Sequence, residues 1–567
     1  MKPGGIEQST WDEETDLLVF GAGAAGMTAA FVAANEGLDV ILCEKHSQIG
    51  GTTATSGGMI FAPGNEHSAR MGKPDSIQAA RTYLTTELRE YANPTFVEAF
   101  LEAVPAVVSY LEKYSELKFS APYPNPDYHF GPGASDGGRT LVPLPFDGRR
   151  LGKDFAMVRA PLDTLMVLGG MMIARREVGM LLNPLSSLPA ARFAIGALSR
   201  YLLDRLKYRR GTRLLLGNAL AASLFMSLRQ QQVPVRVSSR LSELIVEDDR
   251  ITGARVETEG KLRTIRARVG VVLATGGFAG SEKWRHDLGA SLPVDHSLAF
   301  RDSCGEAFDA ASAVGATING DHASPVFWMP VSLHRTRQGK ERMWMHGVLD
   351  RAKPGIIAVM DDGHRFVNEA GSYHDFTLAM CSRKNLVPRA HLICDSRFLK
   401  KYGMGMVQPR FPLHPYLKSG YLKTGQTIEL LARSISLDPE QLAQTVETYN
   451  RDAKEGSDPA FGRGSTALNR HNGDPTHSPN PCVAPIQHGP FYAITTYPSI
   501  LGTSAGIETD VNGRVLDSHG EAIAGLYACG NDMSSMMRGF YPGPGITLGP
   551  ALAFAYRTAL HAASQKA

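Results

Sequence analysis

Three features of the sequence predict an α/β fold organised round a Rossmann-like nucleotide-binding unit. The first is the order strand, glycine turn, helix, strand near the start of the chain. DLLVF (16–20) is followed by GAGAAG (21–26), MTAAFVAANEG (27–37) and DVILCEK (39–45). The second is Glu44, 18 positions after the last glycine of that turn. The third is a pair of later apolar runs that open into glycine, GVVLATGGFAG (270–280) and GLYACGND (525–532). Periodicity, glycine placement and an acidic residue at that spacing form the dinucleotide fingerprint.

Each part has a physical task. Gly21 and Gly23 shape the turn and let backbone approach a pyrophosphate, and Gly26 allows close packing of helix on strand. The helix start at Ala25 directs its dipole at phosphate, and the Glu44 carboxylate suits ribose hydroxyls. Lys45 leads into HSQIGGTTATSGG, where Gly50, Gly51, Gly57 and Gly58 bracket Thr52, Thr53, Thr55 and Ser56. Such a loop is suited to lie along a pyrophosphate and to reach a flavin ring with N–H groups and short hydroxyls. Ala274, Thr275 and Gly276 on the second run, with Gly530 and Asn531 on the third, extend the expected wall. So does the stretch RGFYPGPGITLGPALAFAY (538–556). There Gly545 permits close approach, and Thr547 and Leu548 open an apolar helix whose N-terminus suits an electron-rich atom.

Composition excludes some functions and leaves others open. The 567 residues are 43% hydrophobic and 20% charged, with net charge +3. That balance offers no global argument for nucleic acid, and none is expected as a partner. The six cysteines are scattered without a C-x-x-C pair, which argues against a metal site and fits a reducing compartment. The start of the chain lacks the apolar core of a signal peptide, and no uncharged apolar run reaches bilayer-spanning length. A cytoplasmic protein is expected.

The middle of the chain is less regular. Residues 75–116 read as amphipathic helices, and 121–139 as a loop carrying Tyr123, Tyr128 and His129. Between Gly170 and Leu214 nine Lys/Arg (Arg175, Arg176, Arg192, Arg200, Arg205, Lys207, Arg209, Arg210, Arg213) face Glu177 and Asp204. Interleaved with Met, Leu and Ile, they predict basic helices broken at Pro184 and Pro189. Contact with an anionic membrane surface and a solvated helical insertion (165–232) are the two readings. Residues 233–274 turn to strands, as in a small inserted antiparallel sheet. A helix is expected at 305–318, and no internal repeat is apparent.

The four glycine-bearing stretches together resemble the FAD domain of the fumarate reductase/succinate dehydrogenase flavoprotein superfamily. The resemblance implies a glutathione-reductase-type FAD-binding domain (1–325 and 498–567) with an inserted α+β capping domain (326–497). No second G-x-G-x-x-G appears, so no built-in nicotinamide site is expected. The hydroxyl-rich loop has no histidine where that superfamily's covalent members attach flavin, so the resemblance implies noncovalent FAD.

GHRFVNEAGSYHDF (363–376) carries the superfamily's G-x-R-F-x-N-E core, expected where the capping domain meets the FAD domain. With the PDYH loop (126–129), DVNGRVL (510–516) and YPGPG (541–545), nearly the whole chain resembles the 3-ketosteroid Δ1-dehydrogenases. That resemblance assigns Tyr128 and Tyr373 to a proton-abstracting pair, with Tyr123 the neighbouring alternative to Tyr128. It assigns Tyr541 and the Gly545 N–H to the substrate's 3-keto oxygen, and it implies an external, quinone-like or artificial electron acceptor. The chemistry fits these residue types. Removing the C2 proton builds enolate charge on the 3-oxygen, and each of two donors there contributes roughly 2.7–4 kcal/mol. A phenol titrates near ~10, so a phenolate base needs a second hydrogen-bonding group. His129 and His374 are candidate proton carriers. Phe327, Trp328, Met329, Met343 and Trp344 are candidates for an apolar slot.

Other readings make different demands. A sister steroid enzyme acts at the 4,5 bond, and a fumarate-type reductase needs arginines round a dicarboxylate. A membrane-surface or nucleic-acid binder needs only the basic helices, and would localise at the inner face of a membrane or on nucleic acid.

Overall fold

The computed structural model describes residues 11–566 apart from 291–295, 337, 348–349 and 384, and for residues 175, 176 and 182 the backbone alone. The strand Glu13–Phe20 runs parallel to Val40–Cys43 on one side and to the distal half of Lys261–Leu273 on the other. Val235–Arg236 and Ala522–Ala528 extend this parallel core. Leu17, Leu18 and Val19 are fully buried, as a strand covered on both faces requires. The helix Ala24–Asn35 packs over the sheet against Leu548–Ser564 and Leu216–Gln230. The expected inserted antiparallel sheet is instead an extension of the core. Ser239–Glu247, Arg250–Thr258 and the first half of Lys261–Leu273 form a meander whose last strand runs on into the parallel sheet.

The second sheet has the order Glu341–Met345, Val326–Arg335, Phe491–Thr503, Ala390–Asp395, Ile356–Val359, all antiparallel. Val326 pairs with Thr503. We therefore place the return to the first domain after Thr503, where that strand ends, rather than at residue 498. The long helix Pro94–Tyr114, capped by Asn93 and started by Pro94, is apolar enough to span a bilayer, yet half of it is buried. It packs against Leu548–Ser564 and Ile77–Leu88.

The 165–232 stretch divides by burial. Leu216–Gln230 is a core helix, most of it buried against the nucleotide-binding unit, and so is no part of an exposed insertion. Pro189 starts the helix Leu188–Lys207 rather than breaking one, because its missing N–H costs nothing in a first turn. Several of the basic residues hold the fold. Arg200 pairs with Asp147 (2.8 Å), Arg213 with Glu177 (2.7 Å), and buried Arg210 lies over the Phe155 ring.

The R-F-V-N-E segment is structural. Fully buried Glu369 accepts from Arg365 (2.7 Å), Arg463 (3.2 Å) and the Ala358 N–H (3.0 Å), and Arg365 also reaches Asp458 (2.8 Å). Burial would raise the Glu369 carboxyl, but the two guanidiniums outweigh it and hold it below the usual range. Glu369→Gln leaves buried guanidinium charge uncompensated. It should cost about 3 kcal/mol or more in denaturant unfolding, with the far-ultraviolet spectrum unchanged under native conditions.

Candidate active site

The two sheets face each other across one cavity of about 1350 Å³, larger than an ordinary single-ligand pocket and roomy enough for a cofactor beside a second molecule. One end is the glycine-rich wall. Gly21, Gly23, Ala25, Glu44, Lys45, Gly51, Thr52, Thr53, Ser56, Gly57 and Gly58 line it, joined by Ala274, Thr275, Gly276, Gly530, Asn531, Gly545, Thr547 and Leu548. Gly26 lies behind the wall. A Cβ there would stand 1.9 Å from the Gly21 carbonyl oxygen, so its role is the approach of helix to turn.

The wall fits an extended dinucleotide. The helix Ala24–Asn35 has Gly23 as its cap, a residue with no side chain to cover the turn. A Cβ on Gly51 or Gly57 would meet no atom within 4 Å, so both open onto the cavity. The Glu44 carboxylate accepts from the Ala22 N–H (2.9 Å) and the His46 N–H (3.0 Å), which fixes it beside the glycine turn. Thr53 accepts from the Ala24 N–H (3.0 Å) and Thr52 from the Phe300 N–H (2.9 Å). Asp532, which the motif left unassigned, receives the Gly277 N–H (2.7 Å) and the Thr275 N–H. Burial raises its carboxyl to about 6 despite those donors.

At the other end three tyrosines from three distant parts of the chain meet. Tyr128 stacks on Tyr541 (ring centroids 5.7 Å, 14°), and Tyr373 stands edge-on to both, at 5.4 Å from Tyr128 and 5.2 Å from Tyr541. Phe327 closes against Tyr541 at 5.5 Å. Tyr123, by contrast, is 47% exposed and lies beside Lys73. Of the two loop tyrosines, Tyr128 is therefore the one in the cavity.

The loop 541–545 is held by its carbonyls. Pro542 accepts from the Tyr83 hydroxyl (2.6 Å) and the Tyr128 N–H (2.8 Å), Pro544 from Thr140 (3.3 Å), and Gly545 from the Phe61 N–H (3.1 Å). Gly545 sits at φ +88°, and a Cβ would lie 2.6 Å from the Met59 carbonyl oxygen. Among the described residues its own N–H has no acceptor. With Tyr541, it offers two donors at the cavity wall.

Burial dominates the electrostatics. Tyr541 is pushed up to about 12, a hydrogen bond from Tyr373 only moderating the shift. Tyr128 and Tyr373 are raised further, first by burial and then by neighbouring tyrosine charge. Hydrogen bonding with Tyr373 acts to lower Tyr128 and Tyr541, whereas the same contacts raise Tyr373 itself. Without substrate all three are therefore neutral donors near pH 7. Arg351, which sequence reasoning missed, works the other way on Tyr128. Among the described residues its buried guanidinium donates to carbonyls, those of His346, Gly347 (3.0 Å), Glu369 (2.8 Å) and Gly371. No local motif marks it.

The two histidines differ. His374 contacts Tyr541 and accepts the Trp328 N–H (3.1 Å); burial lowers it to about 4, so it is neutral. His129 lies between Glu87 and Asp375 (2.6 Å). Burial pulls it down, but the two carboxylates win and raise it to about 10. Of the expected slot residues, Met329 and Trp344 line the cavity; Phe327 buttresses Tyr541; Trp328 and Met343 turn into the core. Among the described residues no group of three or more His, Cys, Asp or Glu is placed to hold a metal.

Comparison with known proteins agrees with this geometry. Residues 16–548 match the family described as FAD binding domain. The 4-oxocyclohex-2-ene-1-carboxylate 5-dehydrogenase of Sinomonas cyclohexanicum is 37% identical over 96% of this chain and 92% of its own. The 3-oxosteroid 1-dehydrogenase of Mycobacterium tuberculosis is 34% identical over 98% of this chain and 99% of its own. The solved 3-ketosteroid Δ1-dehydrogenase of Sterolibacterium denitrificans, in complex with 1,4-androstadiene-3,17-dione, is 34% identical with a TM-score of 0.88. That match covers 98% of this chain and 100% of the other. The protein is an FAD-dependent oxidoreductase of the fumarate reductase/succinate dehydrogenase flavoprotein fold. Within that class the chain belongs to the 3-ketosteroid Δ1-dehydrogenase family.

The His129 ion pairs carry a pH signature. Its folded pKa lies above the unfolded value of ~6.5, so their stabilisation is full below that pH and is lost as pH rises through about 10. In denaturant unfolding, His129→Gln should lag the wild type at pH 6 and match it by pH 10.5.

Proposed function

We propose that the protein desaturates the 1,2 bond of 3-keto steroids, using FAD held without a covalent link. The observation that carries this reading is the packed Tyr128–Tyr373–Tyr541 group beside the Gly545 N–H, which has no acceptor among the described residues. Tyr541 and Gly545 donate to the 3-keto oxygen and take up the enolate charge that grows as the C2 proton leaves. Tyr128 and Tyr373 share the base role as one titrating pair, with Arg351 favouring the charged form on the Tyr128 side. Bound flavin supplies the acceptor for the C1 hydride. As that hydride departs, the enolate pair forms the C1–C2 double bond and the carbonyl is restored. A dicarboxylate reductase reading finds no support: Arg365 is sealed in ion pairs with Glu369 and Asp458, outside the cavity.

A monocyclic keto acid is the second reading, favoured by the 37% relative. The size of the cavity and its Leu165, Leu168, Leu181, Met345 and Met406 lining favour the larger, apolar substrate. Mixing the flavin-loaded protein anaerobically with a 3-keto-4-ene steroid should bleach the flavin and yield the 1,4-diene. No bleaching with any such steroid, and bleaching with 4-oxocyclohex-2-ene-1-carboxylate, would transfer the assignment to the second reading. Tyr373→Phe should lower kcat by roughly 10²–10⁴-fold with flavin content unchanged, measured with an artificial acceptor.

The insertion supports a peripheral membrane location at a cytoplasmic face, with a lipid-soluble, quinone-like electron acceptor. Leu165, Val178, Leu181 and Leu198 line the cavity from within. On the outside Leu188, Ile195, Leu202 and Leu206 fall on one stripe of the helix Leu188–Lys207, and Leu206 is 85% exposed. Arg192, Arg205, Lys207 and Arg209 are exposed around it. An apolar stripe flanked by basic residues suits an anionic bilayer surface. Replacing Leu188, Leu202 and Leu206 together by Ser should abolish co-sedimentation with anionic vesicles and leave turnover in detergent intact.

A further inference from the structure

The cavity continues past the tyrosines along the hairpin Val326–Arg335/Glu341–Met345 to an end whose chemistry the desaturation does not use. Four side chains converge there: His334, Arg342, Trp344 and Tyr416, all lining the cavity. His334 pairs directly across the hairpin with Arg342, and Trp344 is the next residue on the same face. The Tyr416 ring lies 5.5 Å from that of His334. Among the described residues, Arg342 Nε, Trp344 Nε1 and His334 Nδ1 are buried with no hydrogen-bond partner. Asp350, the carboxylate lining the cavity nearest in sequence, is engaged by His346 (2.7 Å) and the Gly405 N–H (3.0 Å). Asp163, a second cavity-lining carboxylate at this end, is taken up by Lys340 (2.6 Å).

Buried donors without acceptors are costly, and a guanidinium more so than an amide. Their concentration on one wall calls for a ligand that brings acceptors and negative charge. Distance says which ligand. Met329 and Gly347 stand beside Tyr373, and a Cβ on Gly347 would lie 3.7 Å from both. His334 and Arg342 are five residues further along their strands, roughly 17 Å at the ~3.4 Å rise of an antiparallel strand, and this odd offset puts them on the opposite face of the hairpin from Met329, which the cavity reaches round the edge strand Glu341–Met345. A single six-membered ring held by Tyr541 cannot reach that far, but four fused rings with a short chain can.

Building on the steroid reading above, we infer that this donor cluster recognises a carboxylate at the end of the substrate remote from its ketone. The substrate class is then a 3-keto steroid whose C17 side chain ends in an acid. The guanidinium supplies charge, and the indole and imidazole N–H groups supply direction. Burial and the neighbouring Arg342 charge keep His334 neutral, so it adds a hydrogen bond rather than a second cation.

The test compares two 3-keto-4-ene steroids with identical rings, one ending in a C17 side-chain carboxylate and the other in its methyl ester. Both are turned over by flavin-loaded protein with an artificial acceptor. The acid should show a KM lower than the ester's by on the order of tenfold, as one charged hydrogen bond implies. Arg342→Gln should bring the acid-to-ester KM ratio close to one, Arg342→Lys should restore part of the preference, and Trp344→Phe should reduce it. Equal KM values for acid and ester in the wild type would overturn the inference, as would an Arg342→Gln variant that keeps the wild-type ratio. If neither steroid reduces the flavin, the steroid reading itself fails and this inference with it. A preference lost in Arg342→Gln while ester turnover persists supports both.

Discussion

The arrangement depends on one short loop being held by its own carbonyl oxygens. The carbonyls of Pro542, Pro544 and Gly545 face the first domain, where Tyr83, Tyr128, Thr140 and Phe61 supply the donors. Proline at 542 and 544 restricts the backbone, and glycine at 545 permits a conformation and an approach that no side chain allows. With its carbonyls committed, the loop turns the Tyr541 hydroxyl and the Gly545 N–H toward the cavity. The same contacts fix Tyr128, whose N–H is bonded to Pro542. One set of backbone bonds thus positions the proposed oxyanion hole and half of the proposed base.

The second domain contributes rigidity to the remaining half. Tyr373 opens a helix capped by Ser372, whose hydroxyl accepts from the His374 N–H (3.1 Å) and the Asp375 N–H (3.5 Å). Asp375 in turn pairs with His129 of the Tyr128 loop. The ion pair joins the two tyrosine-bearing segments, so their separation is set across the domain boundary. Behind them Arg351 spreads its guanidinium over carbonyls of the segments 346–347 and 369–371, and brings positive charge near the pair without neutralising it in a salt bridge. Burial raises the phenols, and this charge acts against burial at one of them.

Much of the first domain was readable residue by residue. The glycine turn, the acid at Glu44 and the hydroxyl-rich loop are local patterns, and the wall they form follows the expected order. Other expectations failed where burial decides. The charge count over 170–214 treated Arg200, Arg210 and Arg213 as surface residues, and all three are engaged within the fold. Leu216–Gln230 read as part of a basic insertion and is core, because the face it buries is set by a partner helix distant in sequence. Trp328 packs into the core beside the first sheet rather than into the cavity, a choice made by partners distant in sequence.

By itself the sequence determined the nucleotide-binding unit, the need for close backbone approach at Gly545 and the residue types suited to enolate chemistry. Those properties depend on dihedral freedom and on neighbours a few positions away. Only the tertiary structure decided that Tyr128 rather than Tyr123 enters the cavity, and that Arg351 and His129 stand beside the tyrosines. It also showed that, among the described residues, the donors at 334, 342 and 344 lack partners. Burial, charge coupling and unmet hydrogen bonds are sums over groups brought together from distant parts of the chain, and no local spacing encodes them.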